Sequence, residues 1–167
     1  TDGTYQPKFY QKREICERGK KRIIRPPEFR CKVVQKVVSN YILRPSMEHS
    51  MIRTNYATVT DRGTRQMYQN IEEDLYSAMH KYGRKGVVVK TDFTNYFASI
   101  PKDGLRELYS RHVCDQRIID LCMKFDEGEE GLTLGNETSQ TPATSYAGII
   151  DHNMKDKMRR SEERRVG

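Results

Sequence analysis

The sequence has no apolar run that approaches the roughly 18 residues needed to span a membrane, so no membrane contact is expected. No signal peptide is expected either. The first residues, T-D-G-T-Y, lack an initiator methionine and favour an excised or incomplete boundary. No internal repeat or low-complexity tract occurs, which excludes a repeat architecture. These absences together predict a cytoplasmic globular protein.

The four cysteines form no C-x-x-C pair, which leaves little basis for a zinc site or a disulfide framework. They are Cys16, Cys31, Cys114 and Cys122. Because Cys114 and Cys122 lie near His112, a zinc site stays open as an alternative. Reduced cytosolic thiols on helices are the preferred interpretation.

Acidic residues are scarce in the first third of the chain, where basic residues are concentrated. The first 60 residues hold 13 Lys and Arg against 5 Asp and Glu, within a chain of 167 residues and net charge +7. The basic block between Lys8 and Lys36 predicts contact with a polyanion, such as nucleic acid, nucleotide phosphates or an anionic surface. A solvated helix face stays open as the alternative.

Hydrophobic periodicity predicts an α+β chain in which helices pack against a small sheet. Residues 8–25 alternate loosely around Gly19, which indicates a hairpin. Apolar residues at helical spacing predict helices over residues 29–45 and 65–82. The apolar run that follows predicts a strand over residues 87–93.

The second half of the chain reads as helices separated by loops. Asp115 is a suitable N-cap for a helix that follows it. The acidic turn D-E-G-E-E-G occupies residues 126–131. Thr138 or Ser139 can cap a last helix, and Pro142 fits its first turn.

The predicted strand delivers a carboxylate, which a strand that only packs a core seldom needs. The stretch V-V-V-K-T-D-F-T-N-Y-F-A-S-I, residues 87–100, places Asp92 at the strand end and then Phe93, Tyr96 and Phe97. Taken alone, this aspartate is best interpreted as a cap or turn residue. A metal ligand at the floor of a cleft is the alternative.

Three separated stretches resemble, in order and spacing, the successive motifs of reverse transcriptases. They are K-K-R-I-I-R-P at 20–26, V-V-V-K-T-D-F-T-N-Y-F-A-S-I at 87–100 and G-L-T-L-G-N-E-T-S-Q-T-P at 131–142. N-Y-A-T-V-T-D-R-G-T at 55–64 is similar to the segment between fingers and palm. The likeness covers roughly residues 5–158 and is strongest to bacterial types: retron, prophage, diversity-generating and group II intron enzymes.

The resemblance implies the α+β fold of right-hand polymerase fingers and a partial palm. Residues 1–85 would form the fingers, with the basic hairpin and helices, and residues 86–158 a partial palm with motifs A and B. The chain would end before the Y-x-D-D hairpin and the thumb, since no D-D occurs in it. The tail at 159–167 resembles a translated sequencing adapter and is expected to be foreign, with a genuine helix end as the alternative.

The resemblance also implies a two-metal mechanism, in which two divalent ions lie about 3.5–4 Å apart. Asp92 would be the first catalytic aspartate and bridge two Mg²⁺ ions, with Mn²⁺ as a substitute. The backbone carbonyl of Phe93 would be a further ligand, because Mg²⁺ prefers oxygen. One carboxylate cannot complete such a site, so the chain as given is expected to be inactive alone.

Four residues are implied to contact the incoming nucleotide. Phe97 would exclude a 2′-hydroxyl by occupying its volume, with core packing as the alternative. Arg22, helped by Lys20, would contact the triphosphate and the base, with a generic template-binding surface as the alternative. Gly135 would let the backbone approach the nucleotide. Leu132-Thr133-Leu134-Gly135 stands where the family often has L-P-Q-G, so the contact at Leu134 is left open.

Template and primer contacts are implied for Lys21, Arg25, Ser139 and Gln140, with helix capping an equal alternative for the last two. The partners would be an RNA template, a DNA or RNA primer and dNTPs, and a structured non-coding RNA is considered as well. The expected function is that of a bacterial or phage-encoded RNA-directed DNA polymerase, in antiviral defence or a mobile element. A non-catalytic, maturase-like RNA-binding module is the alternative.

Overall fold

A computed structural model describes residues 4–17 and 19–163, which form a mixed helical structure with one two-stranded sheet. The α+β prediction is therefore confirmed at this coarse level. In chain order the elements are β1 (Arg13–Glu17), β2 (Lys20–Ile24), α1 (Phe29–Val38), a π-helical turn (Ser39–Leu43), α2 (Arg44–Glu48), α3 (Thr64–Tyr82), α4 (Tyr96–Ser99), α5 (Lys102–His112), α6 (Gln116–Phe125) and α7 (Gln140–Glu163).

The predicted hairpin is confirmed. Strands β1 and β2 pair antiparallel, with Cys16 opposite Lys21. Gly19 lies in the turn with φ +78°, a conformation that glycine adopts without steric cost. An isolated bridge between Phe9 and Pro27 continues the pairing beyond the strands. Antiparallel contacts therefore extend from Phe9 to Pro27.

The predicted helix over residues 29–45 extends three residues further than expected. Helix α1 continues through the π-helical turn into α2, which ends at Glu48. Pro45 lacks an N–H and would ordinarily interrupt the hydrogen-bond pattern of a helix. The wider π-helical turn lies directly before it, so the pattern has already shifted where the proline enters. One side of this long helix is buried, including Cys31, Leu43 and Met47.

The core forms where α5 and α6 pack on each other and where α2 and α5 meet α7. Tyr109 and Phe125 are its largest fully buried side chains. Helix α6 begins at the predicted cap, since Asp115 accepts a hydrogen bond from the backbone N–H of Arg117 at 2.9 Å. The loop between α6 and α7 packs on this core through Leu132.

The predicted strand over residues 87–93 is not present. In the described residues the paired strands are β1 and β2, and residues 87–93 have no ladder partner. Val87 is 90% exposed, and no residue of the preceding α3 is buried. A strand is defined by hydrogen bonds to a neighbour, so an apolar run without such a neighbour stays extended and exposed.

No helix in the described part of the chain combines the length and the apolar character that crossing a membrane requires.

Candidate functional site

Three separate stretches of the chain line one small cleft, which has a volume of about 210 Å³. We call it the three-motif cleft. Its walls come from the hairpin, from α4 and from the segment between α6 and α7. The lining residues are Lys12, Ile23, Ile24, Arg25, Phe97, Ala98, Glu129, Leu132, Thr133 and Leu134. All of them except Lys12 and Glu129 belong to the three stretches on which the sequence resemblance rests.

Residues 131–139, here called the 131–139 loop, touch the backbone of α4. The N–H of Leu132 donates to the carbonyl of Phe97 at 2.8 Å. A Cβ on Gly131 would lie 2.2 Å from that same carbonyl oxygen and 2.8 Å from the carbonyl oxygen of Ala98. Only glycine allows this approach, so Gly131 is the glycine on which the joining of the two motifs depends.

Gly135, the glycine that the sequence singled out, has a different structural role. It adopts φ +95°, and a Cβ there would meet nothing within 4 Å. Its backbone conformation therefore favours glycine, whereas the surrounding space would admit a side chain. The residue is exposed next to Leu134, which lines the cleft. A nucleotide contact at this glycine stays a prediction.

Helix α4 is connected to α7 through Tyr96. The Tyr96 hydroxyl donates to the carbonyl of Ala143 at 2.6 Å, and burial raises the pKa of this tyrosine to about 12. The hydroxyl therefore keeps its proton at neutral pH. The Tyr96 ring also stacks on Phe93, with 5.1 Å between the ring centroids. Asn95, with φ +50°, makes the left-handed turn that starts α4.

Asp92 lies at the surface, outside the residues that line the three-motif cleft. Its Oδ1 accepts a hydrogen bond from the N–H of Phe93 at 3.0 Å, which is the contact of a turn aspartate. Among the described residues, no group of three or more His, Cys, Asp or Glu side chains could hold a metal ion. One carboxylate and the Phe93 carbonyl are too few ligands for a two-metal site.

The hairpin residues predicted to bind nucleic acid or nucleotide are placed differently from one another. Arg22 is exposed and pairs with Ile15 across the hairpin. Lys21 is exposed and forms an ion pair with Glu14 at 2.8 Å. The backbone of Lys20 begins β2, but its side chain lies outside the described part of the structure.

Arg25 is engaged by the protein itself. Its Nη1 donates to the carbonyl of Glu127 at 2.7 Å, and its guanidinium lies 4.5 Å from the centre of the Phe9 ring. A planar guanidinium can stack and donate at the same time. Arg25 therefore links the hairpin to the acidic turn at residues 126–131, and it also lines the three-motif cleft.

Ser139 and Gln140 differ in exposure although they are neighbours. Ser139 is fully buried, and its carbonyl accepts the N–H of Ala143 at 3.1 Å, as an N-cap residue does. The Ser139 hydroxyl is 3.5 Å from Oδ1 of Asp126 and faces the protein interior. The geometry favours capping for Ser139. Gln140 is exposed at the start of α7, where a template contact stays a prediction.

Asp126 is the residue that sequence reasoning missed. It is 1% exposed, and its Oδ1 accepts the N–H of Thr133 at 2.7 Å. Burial raises the pKa of this carboxyl, although the hydrogen bonds from Thr133 and the charge of Lys102 oppose the shift. Nothing in D-E-G-E-E-G distinguishes this buried carboxylate from the exposed Glu127 and Glu130.

A second and larger cleft, of about 930 Å³, lies on the other side of α4. Its walls come from residues 52–58, the first half of α3, and α7. Tyr96, Phe97 and Gln140 also line it. Phe97 therefore belongs to both clefts, and the sequence gives no sign of this second position.

We expect Gly131→Ala to destabilise the protein by about 1–3 kcal/mol, because the added methyl group must push the 131–139 loop away from Phe97. Urea unfolding followed by circular dichroism would measure the change. Gly148→Ala is the matched control, since a Cβ there meets nothing within 4 Å and alanine favours a helix by roughly 0.5–1 kcal/mol. Equal effects of the two changes would contradict the close approach.

We expect the stability of the wild-type protein to fall, relative to Asp126→Asn, as the pH rises above the ordinary aspartate value of 3.8. The folded state holds the Asp126 proton more tightly than the unfolded state, so ionisation costs stability as the pH rises through the raised pKa. Urea unfolding of both proteins from pH 4 to pH 8 would measure this difference. Wild-type stability that stays constant or rises with pH, relative to Asp126→Asn, would contradict the burial of the charge.

Comparison with known proteins gives this site no family. No model of a protein family matches the chain, and no curated protein matches its sequence. The case for a function therefore rests on the residues described above and on how the three stretches meet.

Proposed function

We propose that this chain is the fingers and part of the palm of a reverse transcriptase, an enzyme that adds dNTPs to a primer on an RNA template. The observation that supports this most directly is the three-motif cleft. The resemblance concerns stretches that begin at residues 20, 87 and 131, far apart in sequence. A polymerase needs parts of all three around one nucleotide, and parts of all three line this cleft.

The chemistry of the cleft is suited to a nucleotide. The two ends of the hairpin contribute the cations Lys12, which is ion-paired with Glu129 of the same cleft, and Arg25, and α4 contributes Phe97. Cations pair with phosphate, and a ring offers an apolar surface to a sugar or base. Arg22 is exposed on the same hairpin. These features support the proposal that dNTPs bind between the hairpin and α4.

The proposed reaction needs more carboxylates than the described residues bring together. Under this proposal, Asp92 and the Phe93 carbonyl would hold Mg²⁺ or Mn²⁺ jointly with a second acidic motif outside these 167 residues. Residues 87–89 support the proposal that a second motif pairs with this segment. Their valines are 77–90% exposed, and in the described residues their backbone pairs with no strand. An unpaired apolar segment is a ready edge for another strand.

The same proposal names the partners and the setting. The template would be RNA, the primer DNA or RNA, and a structured non-coding RNA would be a further partner in a bacterial cytoplasm. The exposed basic residues of the hairpin and of α1 support contact with a phosphate backbone. RNA binding without polymerisation, as in a maturase-like module, is the alternative function.

Asp92→Ala should abolish primer extension on an RNA template by the complete protein with Mg²⁺, because it removes the carboxylate proposed to hold both ions. The loss is expected to exceed about a thousandfold. Asp103→Ala, another exposed aspartate, is the matched control and should stay active. Full activity in Asp92→Ala would refute the assignment, and RNA binding by a wild-type protein that extends no primer would favour the binding module.

Phe97→Ala should raise the incorporation of rNTPs relative to dNTPs by about tenfold or more, because the ring no longer occupies the space of a 2′-hydroxyl. The ratio of kcat/KM values for the two nucleotides would measure it. Tyr41→Ala is the control, since it removes an exposed aromatic ring that lines neither cleft. An unchanged ratio in Phe97→Ala would identify Phe97 as a packing residue.

A further inference from the structure

Lys102 closes the acidic turn between α6 and the 131–139 loop. Its Nζ donates to the carbonyl of Asp126 at 2.8 Å and to the carbonyl of Gly131 at 2.6 Å. These two carbonyls stand at the two ends of the turn. One half-buried ammonium therefore holds both ends together, and burial lowers the pKa of its amine.

The carboxylate of Asp126 contacts the 131–139 loop, which follows the acidic turn. Its Oδ1 accepts the N–H of Thr133 at 2.7 Å and lies 3.5 Å from the hydroxyl of Ser139. The same carboxylate thus meets the beginning and the end of the 131–139 loop. The side chain of Asn136 donates to the carbonyl of Phe125 at 3.0 Å and fixes the middle. The loop is held at three points by the end of α6.

The position of this loop is coupled to that of Phe97. Leu132 and Gly131 contact the Phe97 carbonyl, so neither the loop nor α4 can shift alone. Phe97 and Leu134 line the three-motif cleft, whereas Lys102 and Asp126 do not. Oδ2 of Asp126 has no hydrogen-bond partner among the described residues. An unsatisfied buried oxygen lowers the free energy of unfolding, so stability alone does not explain this carboxylate.

We propose that Lys102 and Asp126 are positioning residues, which set the distance between Phe97 and the 131–139 loop and thereby the width of the three-motif cleft. The consequence for dNTP binding rests on the proposed function. The holding of the loop does not, because it follows from the hydrogen bonds alone. The two parts can be tested separately on the chain as it exists.

Amide hydrogen exchange, resolved by residue with NMR, tests whether the loop is held. In Asp126→Ala the Thr133 amide should exchange about tenfold faster, because its acceptor is lost. Asp126→Asn should restore the protection, since its Oδ1 still accepts. In Lys102→Met the Leu132 amide should accelerate similarly. Lys124→Met and Asp103→Ala are the matched controls.

The Val113 amide, which donates to the carbonyl of Tyr109 at 2.8 Å, is the internal reference in the core. If Thr133 and Leu132 keep their wild-type rates, or if they accelerate only as much as Val113, the positioning proposal is overturned. The second result would mean that the variants loosen the whole fold. Faster exchange confined to the loop supports the proposal.

Titration with dATP tests the consequence for the cleft. If the wild-type chain binds dATP, Asp126→Ala should weaken the Kd about tenfold and Asp126→Asn should restore it. Unchanged affinity in Asp126→Ala, with a loosened loop, would overturn the link between the loop and the nucleotide. A wild-type chain that binds no dATP would count against the proposed function, while the exchange rates still decide whether Lys102 and Asp126 hold the loop.

Discussion

The contact between the Phe97 carbonyl and the start of the 131–139 loop is the constraint on which the rest of the arrangement depends. Gly131 has no side chain, so the two backbones can meet and Leu132 can donate its N–H at 2.8 Å. On its other side α4 is fastened to α7 through Tyr96. Because α4 is held on both sides, its aromatic rings have defined positions although their helix is only one turn long.

Leu132 anchors the start of the loop in the hydrophobic core, and polar groups hold the rest of the loop in place. Its contacts are made by Lys102, Asp126 and, from α1, the buried Gln35, whose Oε1 accepts the N–H of Glu137 at 3.3 Å. Apolar side chains of similar volume would often give equal or greater stability at such positions. Hydrogen bonds have direction, however, and they select one loop conformation among several compact ones. A loop that presents backbone to a cleft needs that selection more than it needs extra stability.

Local patterns predicted those elements that depend on local interactions. Gly19 between alternating segments predicted the hairpin, and apolar residues at helical spacing predicted α3, because turn geometry and helical periodicity act over a few residues. The strand expected over residues 87–93 depends on a neighbour, and no local pattern reports whether a neighbour is present. Burial of Asp126 is likewise a property of the assembled core. Both are outcomes of tertiary packing and could not be found by spacing alone.

Some of the basic residues predicted to contact a polyanion are bound by other groups of the protein. Lys12 pairs with Glu129 at 2.8 Å, and Lys36 pairs with Glu137 at 2.6 Å, while Arg25 binds a carbonyl of the acidic turn. Three cations of the basic block therefore connect the hairpin and α1 to the segment that follows α6. Exposed ion pairs of this kind contribute little stability each, and each glutamate partly neutralises the lysine that it pairs with. Under the proposed function, a phosphate that approaches this face would meet the hairpin and the loop together.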